Sequence, residues 1–164
     1  IRRGTPEEQL AEMRRLNNDL NASRGDAGRG REVFRKLCAP CHQLHGEGGR
    51  VGPDLTHANR ADREFLLASI VDPSAVIRKE NVAYEVETND GRVLTGVIQE
   101  QRDGRISLGV TTGETVVLPQ SAVVSLRESA QSLMPENLLK GLKPQEVRDL
   151  FSHLQSTPPG TSPP

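Results

Sequence analysis

Apolar positions recur with a helical period towards both ends of the chain and with a two-residue period in its middle. In "TPEEQLAEMRRLNNDLNASRG", Leu10, Met13, Leu16 and Leu20 fall roughly on one face, which predicts a helix with Thr5 as its cap and Pro6 in its first turn. Such a face should dock on the body of the protein or on a neighbouring domain. A second helix is expected from Asp26 to Leu37, and a third near Asp62 to Val71, where "DPS" stops it. The Gly-rich "GEGGRVGPDL" between them reads as an irregular loop. A last helix starts at Lys143-Pro144-Gln145-Glu146.

In "VAYEVET", "RVLTGVIQE", "RISLGV", "TVVLP" and "QSAVVSL" apolar and polar residues alternate. The turn signals Asn89-Asp90-Gly91, Asp103-Gly104 and Thr112-Gly113 separate them, so five short strands from about Val82 to Leu126 are expected in a small antiparallel sheet or barrel. Helices flank this block on both sides, so it reads as an insertion, and the chain as α+β overall. The expected division is a helix or linker from a preceding domain at 1–25, one domain built from 26–80 with 127–156, an inserted β subdomain at 81–126, and a disordered tail at 157–164.

Composition changes this picture in one respect. Hydrophobic residues make up only 34% and aromatics 2% of 164 residues, a thin supply for a core of this size. A large apolar cofactor would fill the gap, and partial disorder is the plain alternative. The net charge of −1, from 21 basic and 22 acidic residues, supplies no basic field for nucleic acid. No apolar run approaches the roughly 20 residues that span a bilayer. Ile1 is not a start methionine, so a processed product is expected.

Candidate chemistry concentrates in "LCAPCHQLHGEGGRVGPDL", which holds both cysteines, Cys38 and Cys41, with His42 directly after. A disulfide across two intervening residues closes a small loop and stabilises little. A redox pair would want a βαβ setting, which is absent. Zinc needs a second ligand pair, for which His45 and His57 could serve, but finger or ribbon spacing is missing. Covalent haem attachment needs two thiols for the vinyl groups and a histidine at once after them for the iron. Cys38-Ala39-Pro40-Cys41-His42 meets that demand in full.

Gly30 and Phe34 in the second helix, the Cys38–His42 motif and then Gly52-Pro53-Asp54-Leu55 together resemble class I cytochromes c. The resemblance implies a mostly α cytochrome c fold carrying the β insertion. It implies that the Pro53 carbonyl accepts the His42 N–H, that Leu55 and Phe34 pack at the haem, and that Gly30 lets the last helix cross closely, with Leu150 and Phe151 as expected partners. It also places the second axial ligand at Met134, in "SLMPE", where such cytochromes carry their methionine and Pro135 stiffens the backbone. Met13 reads instead as a packing residue. His45 lies too near His42 to swing to its opposite face, and His57 and His153 read as surface or packing residues.

The stretches "GREVFRKLCAPCHQLHGEGGRVGPDLT", "LLASIVDPSAVI", "YEVETNDGRVLTGVI" and "SLMPENLLKGLKPQEVRDLFSHL" resemble more narrowly a haem-binding domain of Planctomycetes and Verrucomicrobia. That implies a C-terminal module of a larger secreted or periplasmic, dehydrogenase-like protein. The expected function is electron transfer by haem c with His42 and Met134 on the iron, serving a redox partner protein or a parent dehydrogenase domain rather than acting as an enzyme. The expected location is the periplasm or an equivalent compartment. Arg50, Arg60 and Arg63 are candidates to neutralise haem propionates or guide a partner, against the simpler reading of solvated charges. The competing function is a small-ligand sensor or peroxidase-like haem with a displaceable Met134 and His45 as the first distal suspect. A third reading makes the insertion an interaction module.

Overall fold

A computed structural model of the chain describes residues 4–158. Four helices, α1 (Pro6–Ala22), α2 (Ala27–Leu37), α3 (Arg63–Val71) and α4 (Pro144–Leu154), surround one apolar core. Seven strands follow in chain order: β1 (Gln43–Leu44), β2 (Glu47–Gly48), β3 (Ala83–Thr88), β4 (Val93–Arg102), β5 (Arg105–Gly109), β6 (Thr115–Pro119) and β7 (Val123–Glu128). The fold is α+β, as expected.

Helix boundaries follow local chemistry. Thr5 and Glu8 form a reciprocal capping box at α1, while Asp26 and Asp62 accept from Arg29 N and Phe65 N at the starts of α2 and α3. Pro144 occupies the first turn of α4, where its missing N–H costs nothing. Leu16 and Leu20 of α1 are buried and Met13 packs on the same core, but Leu10 is 59% exposed. Gln9 is buried instead, so the docking face of α1 is rotated from the one its leucines suggest.

The closest helix pair is α2 with α4. A Cβ on Gly30 would lie 1.8 Å from the Asp149 carbonyl oxygen and 2.9 Å from His153 Cβ. Gly30 does admit the last helix, but its partners are Asp149 and His153 rather than Leu150 and Phe151. Those two side chains point into the core beside Phe34, each nearly fully buried. Asp149 closes the crossing by accepting from Asp26 N at 2.7 Å and from Arg29 Nε at 3.1 Å.

β3 to β7 form one antiparallel sheet in the order β6-β5-β4-β3-β7. It is an open sheet rather than a closed barrel. Its own small core is Val86, Leu108 and Leu118, separate from the helical core. Gly91, Gly104 and Gly113 take positive φ at its turns, as the turn signals predicted. The first and last strands are neighbours, with Tyr84 opposite Glu128, and Ser132 N donates to Ser74 Oγ at 3.0 Å just outside them. The chain therefore leaves and rejoins the helical part at one place. Of the expected tail, Thr157 and Pro158 have no regular structure, and 159–164 lie outside the described residues.

Candidate functional site

Cys38 ends α2, its N–H donating to Phe34 O, and the next turn is closed by His42 N donating to Cys38 O at 2.8 Å. Both thiols are therefore held on one short turn directly before the His42 ring. The cysteines are free and partly buried. Burial, with Cys41 second, pushes the Cys38 thiol up to about 12, and burial raises Cys41 as well. Neither would be a thiolate at neutral pH, the form that thiol–disulfide exchange requires.

His42 Nδ1 lies 2.7 Å from the Pro53 carbonyl oxygen. A carbonyl can only accept, so Nδ1 carries the proton and Nε2 keeps its lone pair. Burial lowers the pKa of His42, against a smaller opposite pull from the Pro53 hydrogen bond, which keeps the ring neutral. Gly52 makes this contact possible, because a Cβ there would lie 2.6 Å from His42 Cε1. Gly52 N also donates to Cys41 O at 2.7 Å, and a Cβ on Gly48 would strike the His42 carbonyl. The glycines of the loop thus serve close backbone approach around one oriented imidazole. β1 and β2, a ribbon of two residues each, give the supposedly irregular loop its scaffold.

Among the described residues no group of three or more His, Cys, Asp or Glu side chains is placed to hold a metal ion. Structural zinc takes four such donors, so the zinc reading lacks its second half. A covalently attached haem asks only for two adjacent thiols and one neutral nitrogen, and the turn 38–42 supplies both in a fixed orientation. The donor set therefore fits that group.

The other candidates are distributed as follows. Phe34 is buried, with its ring edge-on to His153 at 5.4 Å. Leu55 is half-buried and packs against the helical core. Met134 is half-buried in the loop before α4, where its N–H donates to Ser132 Oγ at 3.2 Å. His57 is exposed. His45 takes φ 53° and turns its ring towards His153, 6.3 Å between centroids, in the direction of Phe34.

Arg60 was a candidate for the cofactor or a partner, and the structure assigns it other work. Its guanidinium donates to Leu154 O and Ser156 O at 2.7 Å each, and to Thr56 O at 3.1 Å. It clamps the C-terminal end of α4 to the loop after Pro53, where a cation also suits the helix dipole. Arg63 donates to Asn21 Oδ1 of α1 at 2.6 Å, and Arg50 is exposed. The clamp had no sequence signal, because its acceptors are main-chain groups and two of the three lie 94 and 96 residues away along the chain.

The sheet also reaches this site, which the sequence did not foretell. A Cβ on Gly113 would lie 2.2 Å from the Pro40 carbonyl oxygen, and Cys41 Sγ is 3.8 Å from Thr111 O.

Residues 27–96 match the family profile of cytochrome c. The cytochrome bc1 complex cytochrome c subunit of Mycobacterium leprae is 32% identical over 91 residues, 51% of this chain and 31% of that protein. The chain thus spans about a third of the length of that curated relative. A match to that profile implies a covalently bound haem c and supports haem-based electron transfer. No helix among the described residues is long and apolar enough to cross a membrane.

Proposed function

We propose that this chain is an electron-transfer module in which Cys38 and Cys41 tether the haem, His42 binds its iron through Nε2, and Met134 is the opposite axial ligand. The observation that carries the reading is the His42–Pro53 hydrogen bond of 2.7 Å beside two free thiols on one turn. Once bound, the haem supplies one-electron chemistry by passing between ferric and ferrous states. Every other task falls to the polypeptide. Pro53 fixes the tautomer and orientation of the imidazole and raises its basicity as a ligand. Gly52 leaves the room that the ring needs beside the loop, Phe34 and Leu55 exclude water on the helical side, and a thioether from Met134 raises the potential.

The haem domain in this reading is 26–80 with 127–156, and 81–126 is an insertion that leaves it intact. Adjacent strand ends and the Ser74–Ser132 contact support that division. The module works outside the cytoplasm and hands electrons to, or takes them from, a larger redox assembly. The M. leprae relative is a subunit of such a complex, and the match covers only 31% of it. The narrower resemblance to Planctomycetes and Verrucomicrobia haem-binding domains favours a parent of the dehydrogenase-like kind. Within such a parent the module carries charge and is not itself the enzyme.

The test is the response of the ferrous, haem-loaded protein to carbon monoxide. Two protein ligands leave no open coordination position, so binding should be slow and incomplete. Rapid and complete binding would turn the reading to a small-ligand sensor or peroxidase-like haem with a displaceable Met134.

A further inference from the structure

The inserted sheet is not a remote ornament on the helical domain. It meets the tether turn and the loop that follows at several points, from β4, β5 and the β5–β6 turn. Gly113, at φ +89°, lies so close to Pro40 that a Cβ would come within 2.2 Å of its carbonyl oxygen and 3.2 Å of its Cα. The Thr111 carbonyl faces the Cys41 thiol at 3.8 Å. On β5, a Cβ on Gly109 would press on Val51 Cγ2 at 3.0 Å, and Val51 is only 6% exposed. The β4–β5 register breaks between Ile98 and Glu100, and bulges commonly re-aim a side chain. The residue within that break, Gln99, directs its amide to the Arg50 carbonyl at 3.5 Å and accepts from Thr115 Oγ1 at 2.8 Å. Two glycines, a bulge and a thiol contact thus converge on residues 40–51. The sheet's apolar centre needs none of them, since Val86, Leu108 and Leu118 pack without the loop.

We propose that the β5–β6 turn, Val110 to Glu114, is a cover over the cofactor edge that Cys41 tethers. Water, and any electron partner, then meets that edge through the turn rather than directly. Gly113 and Gln99 are positioning residues in this arrangement: one allows backbone contact with Pro40, and the other hooks the bulge onto the loop. The proposal rests on the haem reading of the two cysteines, but the cover itself is observable without haem.

The experiment uses the full chain and two matched substitutions. Gly91 and Gly113 take nearly the same backbone angle, +87° and +89°, but a Cβ on Gly91 meets nothing within 4 Å. Both alanine variants therefore carry the same left-handed strain, and only Gly113→Ala pushes on the tether turn. In the apoprotein, alkylation of Cys41 by iodoacetamide, followed by mass spectrometry with Cys38 as internal reference, should rise about tenfold in Gly113→Ala and stay near the parent rate in Gly91→Ala. Gln99→Ala, at an exposed position that the sheet's core does not need, should raise the rate in the same direction by a smaller factor. In the haem-loaded protein the midpoint potential should fall in Gly113→Ala and not in Gly91→Ala, because solvent at the haem favours the ferric form. Rates that rise equally in both glycine variants, or in none of the three proteins, overturn the cover. A matured wild-type protein with no covalently attached haem overturns the haem reading and leaves the apoprotein result standing.

Discussion

Replacing Gly30 by alanine adds one methyl group where α2 meets the backbone of α4. Two effects of opposite sign follow. Alanine favours a helix interior over glycine by about 1 kcal/mol. Against this, the new Cβ would lie 1.8 Å from the Asp149 carbonyl oxygen, roughly 1.5 Å short of an ordinary C···O contact. The obstacle is main chain in the middle of a helix, so no side-chain rotation relieves it. The helices must part, and a gap of 0.5–1 Å already forfeits about a quarter to a half of each dispersion contact. Phe34, Leu150 and Phe151, 1–2% exposed, sit at that interface and lose most. Overpacking of this kind costs about 1–3 kcal/mol and occasionally more, and a backbone obstacle belongs at the upper end. After the helix gain, Gly30→Ala should destabilise by about 2 kcal/mol, which lowers Tm by roughly 4–8 °C in a chain of this size. Thermal unfolding followed by far-UV circular dichroism reads this directly. Gly28→Ala is the control, since its Cβ would meet only Asp26 Oδ1 at 3.2 Å, and it should stay within about 1 kcal/mol of the parent. An unchanged or raised Tm in Gly30→Ala would refute the close crossing.

Two further outcomes follow from the same geometry. Arg60→Ala should cost about 2–4 kcal/mol by thermal unfolding, because it strands three partly buried carbonyls at the end of α4. Arg60→Lys should recover less than half of that, since an ammonium lacks the planar fork that reaches all three. Burial holds His45 and His153 below the usual histidine range, with Arg60 adding to His45 and the His45 charge to His153. Their neutral forms therefore contribute stability that is fully present above about pH 6.5 and is lost as pH falls below it through the lowered values. Tm should fall between pH 6.5 and 5, and His153→Gln should flatten that slope; a slope unchanged by the substitution would show that the ring is not the group responsible.

The parts of this fold that are local chemistry were legible in the sequence. Thr5, Asp26 and Asp62 announce helix starts because a side-chain oxygen before an apolar period has few other uses. Glycines at 91, 104 and 113 announce turns because each needs a positive φ. The proposed tether motif stands out in the sequence because five consecutive residues carry its whole chemistry. What escaped depends on how distant segments meet. Gly30 was correctly read as a crossing point, but its partners depend on the rotation of α4, which places a carbonyl there instead of the leucine and phenylalanine beside it. Arg60 looked like a free surface charge because backbone acceptors have no sequence signature. The meeting of Gly113 with Pro40 joins two segments more than 70 residues apart, and the turn signal that predicts Gly113's conformation says nothing of what lies against it.

The central claim is that one iron lies between His42 and Met134, with its haem tethered at Cys38 and Cys41. The most direct measurement is the near-infrared absorption of the oxidised, haem-loaded protein beside that of Met134→Ala. The account predicts a weak methionine–iron band in the parent that vanishes on substitution while the covalent haem is retained. A band that survives the loss of Met134 would contradict it.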